Sequence, residues 1–337
     1  MRALTVIAIG SLGLVGCGPT ENPGQYYDDP LPDAAAQETP DEPSLPDTPP
    51  PVYADVTGRV WAPGQAPGMV LAGHEIPISN ALVMIGQNRP APIPQHAYCE
   101  ECVPPTGSHT FTDALGNFTV RDVREGEHWV IIQKGQFRLE LPIVVQGSAP
   151  VALAAEQTTL PSHHDPDNGR WIPRIALAAG TYDHMQDILG KMGMGAIDGS
   201  GRFVPESGTE IFDMYHNDWN PTSGAVGDLT ALVSDLDRML QYHIIFIPCS
   251  GTSHTAALLE QNNLRNIRDY VAAGGKLYVT DWSGEWADNV FPAQITLGGG
   301  EDTPAGAYNP ETDTWNTAMF GPADGSFYDS NNAEIAE

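Results

Sequence analysis

The sequence predicts two folded domains, an antiparallel β-sandwich followed by a doubly wound α/β domain. Two patterns carry this. Short apolar runs broken by turn residues fill residues 53–151, as small antiparallel sheets require. From Trp171 onward, continuous apolar runs alternate with helical periodicities, as in parallel sheets covered by crossover helices. The length of 337 residues suits two domains.

The chain carries 43 acidic and 15 basic residues, a formal net charge of −28. Such a field repels phosphate backbones, so nucleic acid is excluded as an expected partner. The charge is uneven. Residues 18–52 hold ten Pro and eight Asp or Glu, with no Lys or Arg. That composition predicts a disordered, semi-extended linker. No basic residue follows Lys276, while eleven acidic ones do. This stretch is expected to be a folded end with an acidic, Gly-rich excursion.

At the amino terminus Arg2 precedes an apolar run, Ala3 to Val15. The run is too short to cross a hydrocarbon core of ~30 Å as a helix. Leu14-Val15-Gly16-Cys17 follows. This resembles the lipobox of bacterial lipoproteins, which implies that residues 1–17 are a secretory signal with its lipobox. The resemblance makes Cys17 the site of lipidation, diacylglycerol on the thiol and a further acyl chain on the new amine. Each buried CH₂ contributes ~0.8 kcal/mol, so two or three chains anchor the protein to a membrane. Gly18 in place of Asp implies, by the same resemblance, sorting to the outer membrane. The expected localisation is therefore the cell envelope, on the periplasmic face or the cell surface.

In the first domain, Val56 to Trp61, Ala81 to Ile85, Phe118 to Val120, Trp129 to Ile132, Phe137 to Leu141 and Ile143 to Val145 read as strands. Asp113-Ala-Leu-Gly-Asn117 between them reads as a tight turn. The ordered phrases Val-Thr-Gly-Arg-Val, Ile-Ser-Asn-Ala-Leu-Val, Thr-Asp-x-x-Gly-Asn-Phe and Glu-Gly-Glu-His-Trp-Val-Ile resemble the carboxypeptidase regulatory-like domain. The resemblance covers residues 53–151 and implies a transthyretin-like sandwich, an accessory module with no catalytic residues. Within it, Cys99-Glu-Glu-Cys102 lies in a long insertion flanked by His96 and His109. An oxidising compartment favours a Cys99–Cys102 disulfide. A zinc site with the two histidines and a redox pair stay open as alternatives.

Residues 152–172 read as a second linker, and 173–337 as the α/β domain, with a carboxyl terminus that could continue further. Ile175 to Ala179 is the first strand, and Thr181 or Asp183 can cap a helix bearing Met185, Ile188, Leu189 and Met192. Glu210 to Tyr215 is a second strand candidate. Leu229, Leu232, Val233, Leu236, Met239 and Leu240 predict one amphipathic helix. Ile244 to Ile247 is a strand, Leu264, Ile267 and Val271 mark a helix stopped at Gly274-Gly275, and Lys276 to Thr280 is the next strand. Asn332 to Glu337 reads as the start of a helix.

Tyr242-His-Ile-Ile-Phe-Ile-Pro-Cys-Ser-Gly251 and Tyr270-Val-Ala-Ala-Gly-Gly-Lys-Leu-Tyr-Val279 resemble the class I glutamine amidotransferase-like fold. That resemblance implies a flavodoxin-like sheet. It also locates a departure. Where the family's cysteine nucleophile stands, this chain has Thr280-Asp281-Trp282, and Cys249 lies one strand earlier. No later His-x-Glu pair completes a triad, so amidotransferase chemistry is not expected.

Ligands of open α/β sheets bind beyond the carboxyl ends of the strands. The candidates there are Cys249, His254, Asp281, Glu285 and His184. Cys249 with His254 has the composition of a thiolate nucleophile, and Asp183, His184, Asp281 and Glu285 that of a divalent-cation site. Cysteine packing and helix capping compete with both readings. No cofactor and no metal are expected. Trp282 and Trp286 could stack on a sugar or pack in the core. The function expected is a lipid-anchored binding or scaffolding protein with an unknown protein or glycan partner. The alternatives are a hydrolase with an unconventional strand-end site and a carbohydrate-binding surface protein.

Overall fold

The computed structural model describes residues 50–99, 105, 107–206, 208, 210–217, 222–250, 255–258, 260–288, 290–291, 294–298, 308–309, 314–315 and 332–335. Residues 1–49, where the signal with Cys17 and nearly all of the 18–52 linker are expected, lie outside them.

The amino-terminal half is built from β1 (Tyr53–Arg59), β2 (Leu82–Gly86), β3 (Ser108–Phe111), β4 (Asn117–Arg124), β5 (Gly126–Lys134), β6 (Phe137–Val145), β7 (Val151–Ala152), α1 (Ala155–Thr158) and β8 (Arg170–Trp171). They form two sheets, of order β4-β1-β7 and β3-β2-β5-β6-β8. Pairing is antiparallel except between β1 and β7. Alternation gives each sheet one apolar face, and both faces enter one core: Val56 and Val120 from the first, Val83, Val130, Ile132 and Val145 from the second. In β4 the buried positions Val120 and Val123 are three apart, which a regular strand would place on opposite faces. A register shift opposite Ala54 and Val56 and a left-handed Asp122 (φ 54°) bring both inward.

Residues 137–145, expected as two runs, form one strand through Pro142. β8 pairs only with Arg138 and Leu139, so beyond them β6 is an edge strand and the missing N–H is tolerated. The segment 152–172, expected as a linker, contributes to these sheets. β8 is the fifth strand, and Thr158 donates its hydroxyl to the Arg59 carbonyl oxygen at 2.6 Å.

The carboxyl-terminal half holds β9 (Ile175–Ala179), α2 (Met185–Leu189), β10 (Asp213–His216), β11 (Ala225–Asp228), α3 (Leu229–Val233), α4 (Leu236–Met239), β12 (Ile244–Ile247), α5 (Thr255–Leu258), α6 (Gln261–Ala272), β13 (Lys276–Val279), α7 (Glu285–Asp288) and β14 (Ile295–Gly298). β9 to β13 make a wholly parallel sheet of order β11-β10-β9-β12-β13. Ala176, Tyr215, Ile245 and Val279 face a core shared with α3 to α7. Ile175, Leu177 and Met214 face the other way, against Met185 and Leu189 of α2. Helices thus cover both faces. Growth of the sheet reverses between β9 and β12, the position where such sheets open a crevice.

Three local expectations are corrected. The single helix expected over 229–240 is two. Asp235 accepts from the Arg238 amide at 3.0 Å and caps α4, so the chain restarts there instead of continuing. β11 adds an edge strand, so the order counted from β9 is 3-2-1-4-5, whereas a flavodoxin-like sheet runs 2-1-3-4-5. Residues 332–335 are a strand, not a helix start: their backbone pairs antiparallel with β14, in register from Ile295 with Ile335 to Gly298 with Asn332.

The insertion between β2 and β3 joins the halves. At its start Arg89 Nε and Arg138 Nε each lie 2.7 Å from the Glu140 carboxylate of β6. At its end the Ala97 amide donates to the Leu240 carbonyl oxygen at 2.7 Å. Gly274 lies so close to Tyr98 that a Cβ there would overlap its backbone, and its φ of +97° suits only glycine. The insertion therefore docks on the amino-terminal edge of the parallel sheet, opposite the crevice.

Candidate functional site

β9 is apolar and buried throughout, which places it at the centre of the sheet. Gly180 follows it. A Cβ at Gly180 would stand 2.6 Å from the Cys249 carbonyl oxygen, so only glycine lets the β9 loop close on the end of β12. The Tyr182 and Asp183 amides donate to that same oxygen at 3.4 and 3.3 Å.

Asp183 does not cap α2. His184 occupies the cap position, without a side-chain bond to the helix. The Asp183 carboxylate turns to the end of β13 and accepts from the Thr280 hydroxyl at 2.6 Å. The Cys249 amide donates to Thr280 Oγ1 at 3.0 Å and to Asp183 Oδ2 at 3.3 Å. The buried Ser250 hydroxyl donates to the Asn217 carbonyl oxygen after β10. The Ser283 hydroxyl donates to the Pro248 carbonyl oxygen at 2.8 Å. Four strand ends are thereby laced together by short-range polar contacts.

Each feature has a chemical consequence. The Thr280 hydroxyl spends its proton on Asp183 while its oxygen receives an amide, an arrangement that orients groups and does not generate an alkoxide. Cys249 is unbridged and only 3% exposed. A thiol so enclosed is poorly placed to attack a substrate. His254, its expected partner, lies outside the described residues. So do the side chains of Asp281 and Glu285, whose backbones form a 3₁₀ turn (Asp281–Gly284) and the start of α7. His184 is exposed, with Nδ1 3.2 Å from Gln186 Nε2. Among the described residues, no three His, Cys, Asp or Glu stand close enough to hold a metal ion. Trp286 is fully buried in the core and is no platform for a sugar. The Trp282 side chain is outside the described residues.

Cys99 is exposed and unbridged, its thiol 3.6 Å from the Ala272 carbonyl oxygen. Cys102 lies outside the described residues, so the expected bridge is not seen.

The sequence offered Asp183 as a helix cap or a cation ligand at the strand ends, and Thr280 only as the residue standing where a nucleophile is missing. Sequence reasoning missed Asn217, Ser283 and Gly180. The Gly after an unbroken apolar strand was the available signal, since such a strand end must meet its neighbours' loops.

No family model matches the chain, and no curated protein matches it. Among solved structures it is similar to a proposed carbohydrate-binding protein from Pseudomonas aeruginosa. The identity is 13% and the TM-score 0.20, over 35% of this chain and 99% of that one. A likeness of this size carries no argument about fold or function.

Proposed function

We propose that the chain is a lipid-anchored cell-envelope protein whose α/β domain binds or scaffolds and does not catalyse through a cysteine. In this reading Cys17 carries the lipid, Gly18 directs the protein to the outer membrane, and the 18–52 linker holds the domains off the membrane surface. The two amino-terminal sheets are read as a carboxypeptidase regulatory-like sandwich. The parallel sheet is read as an amidotransferase-like relative with an added edge strand.

One observation carries the non-catalytic half of the proposal: Thr280 stands where that family has its nucleophile and is tied to Asp183 and to the Cys249 amide. A hydroxyl so held serves the shape of the strand ends. The partner expected at the crevice is a protein or a glycan.

The test uses the full exported chain. It is incubated with ester, amide and glycoside substrates and, in parallel, probed on a glycan array and against envelope extracts. The proposal expects no multiple-turnover hydrolysis and saturable binding that survives Cys249→Ala. Turnover abolished by Cys249→Ala would establish the hydrolase alternative instead. Binding to the glycan array alone would select the carbohydrate-binding alternative.

A further inference from the structure

The amino-terminal edge of the parallel sheet holds an imidazole that the crevice does not use. His243 precedes β12 and is 1% exposed. Its two ring nitrogens have partners that fix their roles. The Arg174 amide can only donate, and it reaches Nδ1 at 2.7 Å. The Pro94 carbonyl oxygen can only accept, and it lies 2.7 Å from Nε2. The ring is therefore the neutral tautomer with its proton on Nε2. Pro94 belongs to the insertion from the first half of the chain, and Arg174 leads into β9 of the second. Tyr98 of the same insertion meets the imidazole edge-on, with centroids 5.9 Å apart.

We propose that His243 is a pH-sensitive latch: neutral, it clasps the insertion to the base of the α/β domain, and protonation on Nδ1 releases it. A proton on Nδ1 would face the Arg174 N–H and remove its acceptor. The charged groups bearing on the ring are Lys276 of β13, His96 of the insertion and Arg174, all cationic or able to become so. The Tyr242 hydroxyl donates to Asp213, and the Tyr270 hydroxyl to the Tyr242 and Lys276 carbonyl oxygens on either side of this end of the sheet. Burial first, and then these cations, hold the imidazole below its ordinary range, against the raising influence of the Pro94 bond. The sign follows. The clasp is complete above about pH 6.5, the value of a free imidazole, and weakens as pH falls below it, because the opened form takes up the proton more readily. One proton per opening sets a limit of about tenfold per pH unit.

The experiment is nitrogen-15 NMR of the histidine rings, with amide hydrogen exchange from pH 7.5 to 5, on the full chain. His243 is expected to be neutral with Nε2 protonated at pH 7 and to titrate below the exposed histidines. Protection factors of the Ala97 and Arg174 amides should fall together, by up to tenfold per pH unit, while that of Ile131 in β5 stays level. His243→Asn keeps an acceptor for Arg174 but does not titrate, and should flatten the Arg174 profile. His96→Gln should leave it unchanged. A cationic His243 at pH 7 overturns the latch. So does level protection at Ala97 and Arg174 across the range, or a His243→Asn profile that follows the native one.

Discussion

Asp183 and Thr280 lie 97 positions apart in the chain and meet at 2.6 Å, across the ends of β9 and β13 with Cys249 between them. That contact ties the crevice ends of β9 and β13 together and explains why a helix-capping aspartate leaves its helix uncapped. Removing the hydroxyl by Thr280→Val leaves the Asp183 carboxylate and the Cys249 amide each one partner short. The expected loss is about 1–3 kcal/mol, and Thr280→Ser should recover most of it. Urea unfolding of the variants decides this.

Glu140 pairs with two guanidinium groups, and both it and Arg138 are buried. Glu140→Gln should destabilise the amino-terminal half by about 3–5 kcal/mol, since it strands the Arg138 charge in the interior. Arg89→Ala should cost far less, because Arg89 is one-third exposed. Denaturation followed by tryptophan fluorescence reads this out, with Trp129 and Trp171 lying under these arginines.

Asp235 starts α4 where an unbroken helix was expected. Asp235→Ala should cost about 1 kcal/mol, and Asp235→Asn should cost less. Thermal melting of the pair provides the comparison.

Lipidation makes a prediction independent of the fold. In a bacterial host the native chain should sediment with membranes and lack its first sixteen residues, its Cys17 heavier by the mass of the acyl groups. Cys17→Ala should move it to the soluble envelope fraction. A mature chain of unmodified mass in the cytosol would remove the anchor from the functional reading.

Much of the architecture was legible because period and burial are tied to local geometry. Ile175 to Ala179 is apolar at every position and became the central strand, buried on both faces. Trp129 to Ile132 fell within β5, and the stop at Gly274-Gly275 fell between α6 and β13. The site was less legible. Asp183 has the composition of a cap in either role, and only the close approach permitted by Gly180 turns it toward Thr280. Trp286 looked like a candidate platform because an aromatic residue beside acidic ones carries no mark of burial in its sequence.

The sequence by itself determined the succession of an alternating half and a continuous half, the acidic, Pro-rich composition of residues 18–52 before them and the cysteine at residue 17. These depend on neighbours along the chain, and hydrophobic period is a local property. Only the tertiary structure decided the edge position of β11, the docking of the 87–99 insertion beneath the sheet and the joining of Asp183, Cys249 and Thr280. Those contacts join residues tens of positions apart, and their partners are chosen by how the packed layers meet in space.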